Sequence, residues 1–187
     1  FKGWDAHVFL DANESAYNTP YNRYPDPHQK ALKGQIAAIK GVGAENIFIG
    51  NGSDEAIDVL LRVFCEPRVD NVVSIAPSYG MYKVAAAIND VEIREVQLGE
   101  EFSLPVDELL SAVDEHTKMI FLCSPNNPTG NSFPREKMMQ LVEQFDGIVV
   151  VDEAYIDFAE ASSLKNEIAQ HPNLVVLQTM SKAWAMA

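Results

Sequence analysis

Lys182 stands just past the apolar run Leu-Val-Val-Leu-Gln-Thr, within Thr179-Met180-Ser181-Lys182. A lysine beside a buried sheet edge is desolvated, which lowers its pKa and favours the neutral amine. That form condenses with an aldehyde; the alternative is a packed stem with its ammonium in water. Asp152 closes Ile-Val-Val-Val, where a carboxylate is costly unless paired. A protonated ring nitrogen would suit it; a metal ion or a helix cap are the alternatives. Gly52-Ser53-Asp54-Glu55-Ala56 reads as a glycine turn entering a helix, so free backbone N–H groups and the Ser53 hydroxyl can receive a phosphate. A plain N-cap by Ser53 with acidic first-turn residues is equally consistent. Neither G-x-x-x-x-G-K-[ST] nor G-x-G-x-x-G fits. Asn127 sits in a proline-flanked turn, where its amide could donate to a phenolic oxygen or serve only the loop. Tyr79 could stack on a flat ring or be an ordinary core aromatic. Tyr155, three residues after Asp152, could reach the same ligand oxygen as Asn127. His7, His28, His116 and His171 share no metal-like spacing, and no metal is expected.

These residues need a scaffold that brings strand ends together. The first 30 residues are irregular, with prolines at 20, 25 and 27 that forbid a regular helix. A helix is expected over 28–40, stopped by Gly41 and Gly43. Strands are expected at 47–50, 72–76, 91–98, 119–124, 148–152 and 174–179, and helices at 54–64, 79–88, 105–114 and 134–145. Runs such as Lys-Met-Ile-Phe-Leu-Cys and Gly-Ile-Val-Val-Val-Asp lack alternation, as a parallel sheet covered on both faces requires. Strands separated by helices indicate α/β layering, in which ligands sit beyond the carboxyl ends of the strands. The segments Gly50–Glu55, Pro77–Tyr79, Pro125–Gly130, Asp152–Tyr155 and Thr179–Lys182 each end or follow an expected strand, so they should meet on one rim.

The chain of 187 residues can bury a sizeable core. Its net charge of −13 disfavours nucleic acid and anionic membranes as partners, so an anionic ligand must be held by local donors. No apolar run reaches the roughly 18 residues of a membrane span. Phe1 is not an initiator methionine, so the natural N-terminus is expected to lie elsewhere. Cys65 and Cys123 alone suggest neither a disulfide framework nor a zinc site, and fit a reducing cytosol.

Taken together, Gly-Asn-Gly-Ser-Asp-Glu-Ala-Ile, Pro-Ser-Tyr-Gly-Met-Tyr, Cys-Ser-Pro-Asn-Asn-Pro-Thr-Gly, Val-Val-Asp-Glu-Ala-Tyr-Ile-Asp-Phe and Thr-Met-Ser-Lys-Ala-Trp-Ala-Met-Ala occur in the order found in class I/II aminotransferases. Asn-Arg-Tyr-Pro-Asp-Pro, the Pro-Ser-Tyr-Gly-Met-Tyr box and the Asp-Glu-Ala-Tyr-Ile-Asp-Phe box most resemble the histidinol-phosphate aminotransferases. The resemblance implies a pyridoxal 5′-phosphate enzyme with a fold type I large domain, a three-layer α/β structure with a mostly parallel sheet and helices on both faces. It implies that Lys182 binds the cofactor and moves the proton, that Asp152 pairs with the pyridinium nitrogen, and that Asn127 and Tyr155 bind its ring oxygen. By the same resemblance Tyr79 stacks on the ring, and Ser53, the Asp54 backbone, Thr179 and Ser181 surround the phosphate. Tyr24 resembles the residue that reaches the cofactor phosphate of the partner subunit in a homodimer, and Asn13 and Glu14 the substrate-entry segment.

The implied reaction exchanges the amino group between L-histidinol phosphate and 2-oxoglutarate, giving glutamate, in the cytoplasm. The expected organisation is an arm over 1–30, an incomplete cofactor-binding domain over 31–187, and a small C-terminal domain beyond this chain. Rival readings are threonine-phosphate decarboxylase on the same scaffold, another amino-acid aminotransferase, and a non-catalytic regulator of aminotransferase ancestry.

Overall fold

The computed structural model describes residues 12–17 and 19–186. The chain divides into two compact units, one up to Ile47 and one from Phe48 onward. His7 and the start of the expected arm lie outside the described residues.

In the first unit, Glu14 organises the proline-rich segment. Its carboxylate accepts from Arg23 Nη1 at 2.7 Å and from the Tyr24 backbone N–H at 2.7 Å. Helix α1 (Lys30–Lys40) follows, and ends where Gly41 takes a left-handed conformation (φ 69°) and donates its N–H to the Ala37 carbonyl. That conformation is easy for glycine and closes the helix.

The second unit contains α2 (Gly52–Phe64), β1 (Asn71–Ala76), α3 (Met81–Ile88), β2 (Glu92–Gln97), α4 (Val106–Ser111), β3 (Thr117–Cys123), α5 (Arg135–Gln144), β4 (Ile148–Asp152) and β5 (Leu174–Leu177). The strands form one parallel sheet in the order β2-β1-β3-β4-β5. Side chains alternate across a strand, and here both sets are buried. Val73, Ile75, Ile120, Leu122, Val149 and Val151 pack with Leu109 of α4 and Leu141 of α5. Val72, Met119, Phe121 and Val150 pack with Ile57 and Leu61 of α2 and Ala86 of α3. Two cores on opposite faces of one sheet make the expected three layers, and they explain why the strands read as unbroken apolar runs. β2 is an edge strand with Glu92, Arg94 and Glu95 along it, charges that discourage pairing with another chain.

One expected strand is absent. Residues 47–50 carry no strand, although Ile47 is extended (φ −110°, ψ 123°). Extended backbone becomes a strand only when a neighbour completes its ladder, and here none does. Among the described residues, no helix is long and apolar enough to cross a membrane.

Candidate functional site

The carboxyl ends of β3, β4 and β5, the start of α2 and the turn before α3 surround one pocket. Gly52, Ser53 and Asp54 line it from α2, and Tyr79 from the turn. Cys123 and Asp152 line it from the ends of β3 and β4, followed by Tyr155, and Thr179, Ser181 and Lys182 close it beyond β5. All of these expected site residues therefore meet, although the α2 turn follows a loop and not a strand.

The start of α2 offers donors. Asn51, not Ser53, is the N-cap residue, and its side chain makes no capping hydrogen bond. Glu55 instead reaches back to the Asn51 backbone N–H, leaving Gly52, Ser53 and Asp54 at an uncapped helix start. Gly52 has φ 77°, a conformation that suits glycine at this sharp entry. First-turn N–H groups lack intrahelical partners and favour an anion. Across the pocket, the Thr179 hydroxyl donates to Ser181 Oγ at 3.0 Å, and the Ser181 N–H donates to Thr179 Oγ1 at 3.2 Å.

Asp152 is 1% exposed. Its Oδ2 accepts from the Tyr82 hydroxyl at 2.8 Å and its Oδ1 from the Ala154 N–H at 3.0 Å. Among the described residues, no ion pair involves it. Burial raises its pKa, and the Asp54 charge adds to this. The Tyr82 and Ala154 hydrogen bonds and the Lys182 charge oppose it. A buried carboxylate held by two neutral donors, with no cation in contact among the described residues, would suit a protonated ring nitrogen.

Tyr79 lines the pocket and donates its hydroxyl to Asp54 Oδ1 at 3.0 Å. Burial, with that hydrogen bond, pushes its pKa up to about 12, so it stays a neutral phenol. Its ring meets Tyr82 edge-on, with centroids 5.7 Å apart. Tyr82, whose burial holds its hydroxyl well above the usual phenol range, supports Asp152 from below the pocket and was not singled out by the sequence reading. The available signal was the helical spacing of Tyr82 with Ala85 and Ala86, which places all three on the buried face of α3.

Asn127 lines a neighbouring hollow with Pro125, Pro128 and Phe158, and Tyr155 borders both hollows. The turn is held by Asn126, which accepts from Ser78 Oγ at 3.0 Å and donates to the Pro77 carbonyl at 3.0 Å and to Thr129 Oγ1 at 2.7 Å. Asn126 is buried, so the adjacent asparagines divide the work: one braces the turn and the other faces the opening.

Lys182 corrects an expectation. It is exposed, as are Ala183 to Met186 after it, and its Nζ lies 5.9 Å from the centre of the Tyr155 ring. No packed layer desolvates it among the described residues; what brings it to the pocket is its position beyond β5. Asn13, Glu14 and Tyr24 belong to the first unit, where Tyr24 is 73% exposed.

A ligand suited to this pocket carries an anion toward α2 and Thr179–Ser181, a protonated aromatic ring over Asp152, and a carbonyl within reach of an amine. Residues 5–187 match the family described as Aminotransferase class I and II. The chain is 58% identical to a histidinol-phosphate aminotransferase of Parabacteroides distasonis, covering 98% of this chain and 53% of the relative. It is 57% identical to that of Bacteroides thetaiotaomicron, covering 100% and 54%. The chain thus spans about half the length of the curated relatives it matches. Among solved structures, the histidinol-phosphate aminotransferase from Sinorhizobium meliloti in complex with pyridoxal-5′-phosphate superposes with a TM-score of 0.79 at 26% identity, covering 88% of this chain and 46% of that one.

Proposed function

We propose that this chain, which belongs to the class I and II aminotransferases, forms the cofactor-binding large domain of a pyridoxal-phosphate enzyme that exchanges an amino group between L-histidinol phosphate and 2-oxoglutarate. The observation that carries the reading is the presence, in one pocket, of an exposed Lys182 amine and a buried Asp152 carboxylate that forms no ion pair among the described residues. The substrate assignment is supported by identities of 58% and 57% to histidinol-phosphate aminotransferases along nearly the whole chain.

Pyridoxal phosphate supplies an aldehyde and a protonated pyridine ring that takes up the electron pair left when the substrate α-carbon loses its proton. Lys182 would hold the cofactor through Nζ and would carry the substrate α-carbon proton as general base and acid. Asp152 keeps the ring nitrogen protonated; its orientation is set by Tyr82 and the Ala154 N–H. The N–H groups at the start of α2, with the Ser53, Thr179 and Ser181 hydroxyls, bind the phosphate. Tyr79 would cover one face of the ring, and Asn127 and Tyr155 would bind its oxygen. Tyr24, with its largely exposed ring, is assigned to the cofactor phosphate of the partner subunit, which makes the working unit a cytoplasmic homodimer.

The test is one half-reaction. The protein at its natural length is saturated with pyridoxal phosphate, L-histidinol phosphate is added without a keto acid, and the cofactor spectrum is followed. Conversion to the pyridoxamine form is expected. A cofactor that binds Lys182 but answers only to threonine phosphate, with release of carbon dioxide, would move the protein to the lyases. Failure to bind the cofactor would return it to a non-enzymatic role.

A further inference from the structure

Glu153 is a buried charge to which the proposed chemistry gives no part. It is 2% exposed and stands next to Asp152, yet its carboxylate points away from the pocket. Oε1 accepts from the Leu164 N–H at 2.7 Å, and Oε2 accepts from Ser163 Oγ at 2.5 Å and Gln178 Nε2 at 2.8 Å. The Gln178 amide also donates to Ser163 Oγ at 3.2 Å. Leu164 lies in the core on the α4–α5 face, whereas Asp152 lines the pocket and is hydrogen-bonded by Tyr82 of the α2–α3 face.

This one side chain joins three segments. It follows β4 beside Asp152, it holds the return of the loop that carries Tyr155 and Phe158, and it holds Gln178 just ahead of Thr179, Ser181 and Lys182. β5 pairs with β4 only as far as Leu177, opposite Asp152. Beyond that point, the side-chain hydrogen bonds that tie residues 178–181 to the rest of the domain, among the described residues, are those of the Gln178 amide. Burying a carboxylate is costly, and a well-packed apolar side chain is often the more stable choice at such a place. A fully satisfied buried network does something apolar packing does poorly: it fixes one geometry.

We propose that Glu153 is a positioning residue that acts through Gln178 to place the Thr179 and Ser181 hydroxyls for the phosphate of the cofactor. The inference rests on the reading of the pocket as a pyridoxal-phosphate site. Thr179 and Ser181 carry their hydroxyls on one-carbon stems, so a small backbone shift moves the donors out of range. Lys182 has a four-carbon stem that absorbs the same shift. The loss on cutting the link is therefore selective for a phosphate-bearing ligand.

The experiment uses the apo protein at its natural length and compares apparent affinities for pyridoxal phosphate and for pyridoxal, which lacks the phosphate. Wild type must first bind pyridoxal phosphate at Lys182; if it does not, the reading of the site fails before any variant is compared. Glu153→Leu is expected to weaken pyridoxal phosphate by about tenfold, the scale of losing one well-placed charged hydrogen bond, and to leave pyridoxal within about twofold. Glu153→Gln, which a flipped Gln178 amide accommodates, is expected to stay near wild type. Gln178→Leu leaves Glu153 its Ser163 and Leu164 donors, so it carries the test if Glu153→Leu does not fold. It should match Glu153→Leu, and the double variant should lose no more than either. Unchanged affinity in Gln178→Leu, equal losses for both aldehydes, or additive losses in the double variant would overturn the proposal.

Discussion

Tyr82 and Asp152 lie 70 positions apart in the chain and meet through a 2.8 Å hydrogen bond from phenol to carboxylate on the α2–α3 face of the sheet. The tyrosine ring is stacked on Phe121, with centroids 5.1 Å apart and planes at 19°, so the donor is aimed by a strand as well as by its own helix.

Tyr82→Phe keeps that stack and removes only the hydroxyl. Leaving a buried acceptor without its partner costs about 1–3 kcal/mol. The hydrogen bond lowers the Asp152 pKa, so its loss makes Asp152 a poorer partner for a ring proton. The expected result is a half-reaction slowed by about tenfold, with cofactor affinity changed much less. Stopped-flow spectra at saturating histidinol phosphate would measure it; an unchanged rate would remove Tyr82 from the electronic control of the site.

Asp152 and Glu153 predict an unusual pH dependence for the apo protein. Burial raises Asp152 above 3.8 and Glu153 above 4.5, their ordinary values. A folded state that binds protons more tightly than the unfolded chain loses stability as pH rises through the interval between the two pKa values. The cost is absent below the unfolded values and complete above the raised folded ones. Asp152→Asn is therefore expected to raise the apo melting temperature at pH 8 by about 2–4 °C, with the gap closing as pH falls toward 3.8, and to abolish transamination. Thermal melts across pH would test this; an Asn variant less stable at pH 8 would show that Asp152 is already well paired in the apo protein.

Much of this was legible in the residues. Val149, Val150 and Val151 read as a buried parallel strand, and their alternation between two cores bears this out. Ile47–Gly50 was misread because extended backbone becomes a strand only through a neighbour, which local pattern leaves unspecified. Lys182 was placed at the pocket by its strand but expected to be desolvated, and desolvation depends on what packs above it. Tyr82 and Glu153 escaped notice for one reason. Tyr82 meets Asp152 from 70 positions away and Glu153 meets Gln178 from 25, pairings that local pattern leaves unspecified.

The two cysteines are expected to be inert. Burial pushes both Cys65 and Cys123 up to about 11, so at pH 8 the thiolate is about one part in a thousand. Alkylation of the native protein with iodoacetamide should run at least about a hundredfold slower than that of an exposed thiol, and both sites should react on denaturation. Peptide mapping by mass spectrometry would follow each site; rapid labelling of Cys123 would show that the pocket floor opens.

Phe121 joins the core of the sheet to Tyr82. It is 1% exposed on central strand β3, and Phe121→Ala is expected to cost about 3–5 kcal/mol in urea unfolding. Phe121→Leu keeps most of the volume and costs less than about 1.5 kcal/mol, yet it takes away the flat surface on which Tyr82 rests. If Phe121 influences the reaction by aiming the Tyr82 hydroxyl at Asp152, Phe121→Leu slows the half-reaction in the wild-type background and has no further effect once Tyr82→Phe is present. Additive losses in the double variant would instead assign the effect of Phe121 to general packing beneath the pocket.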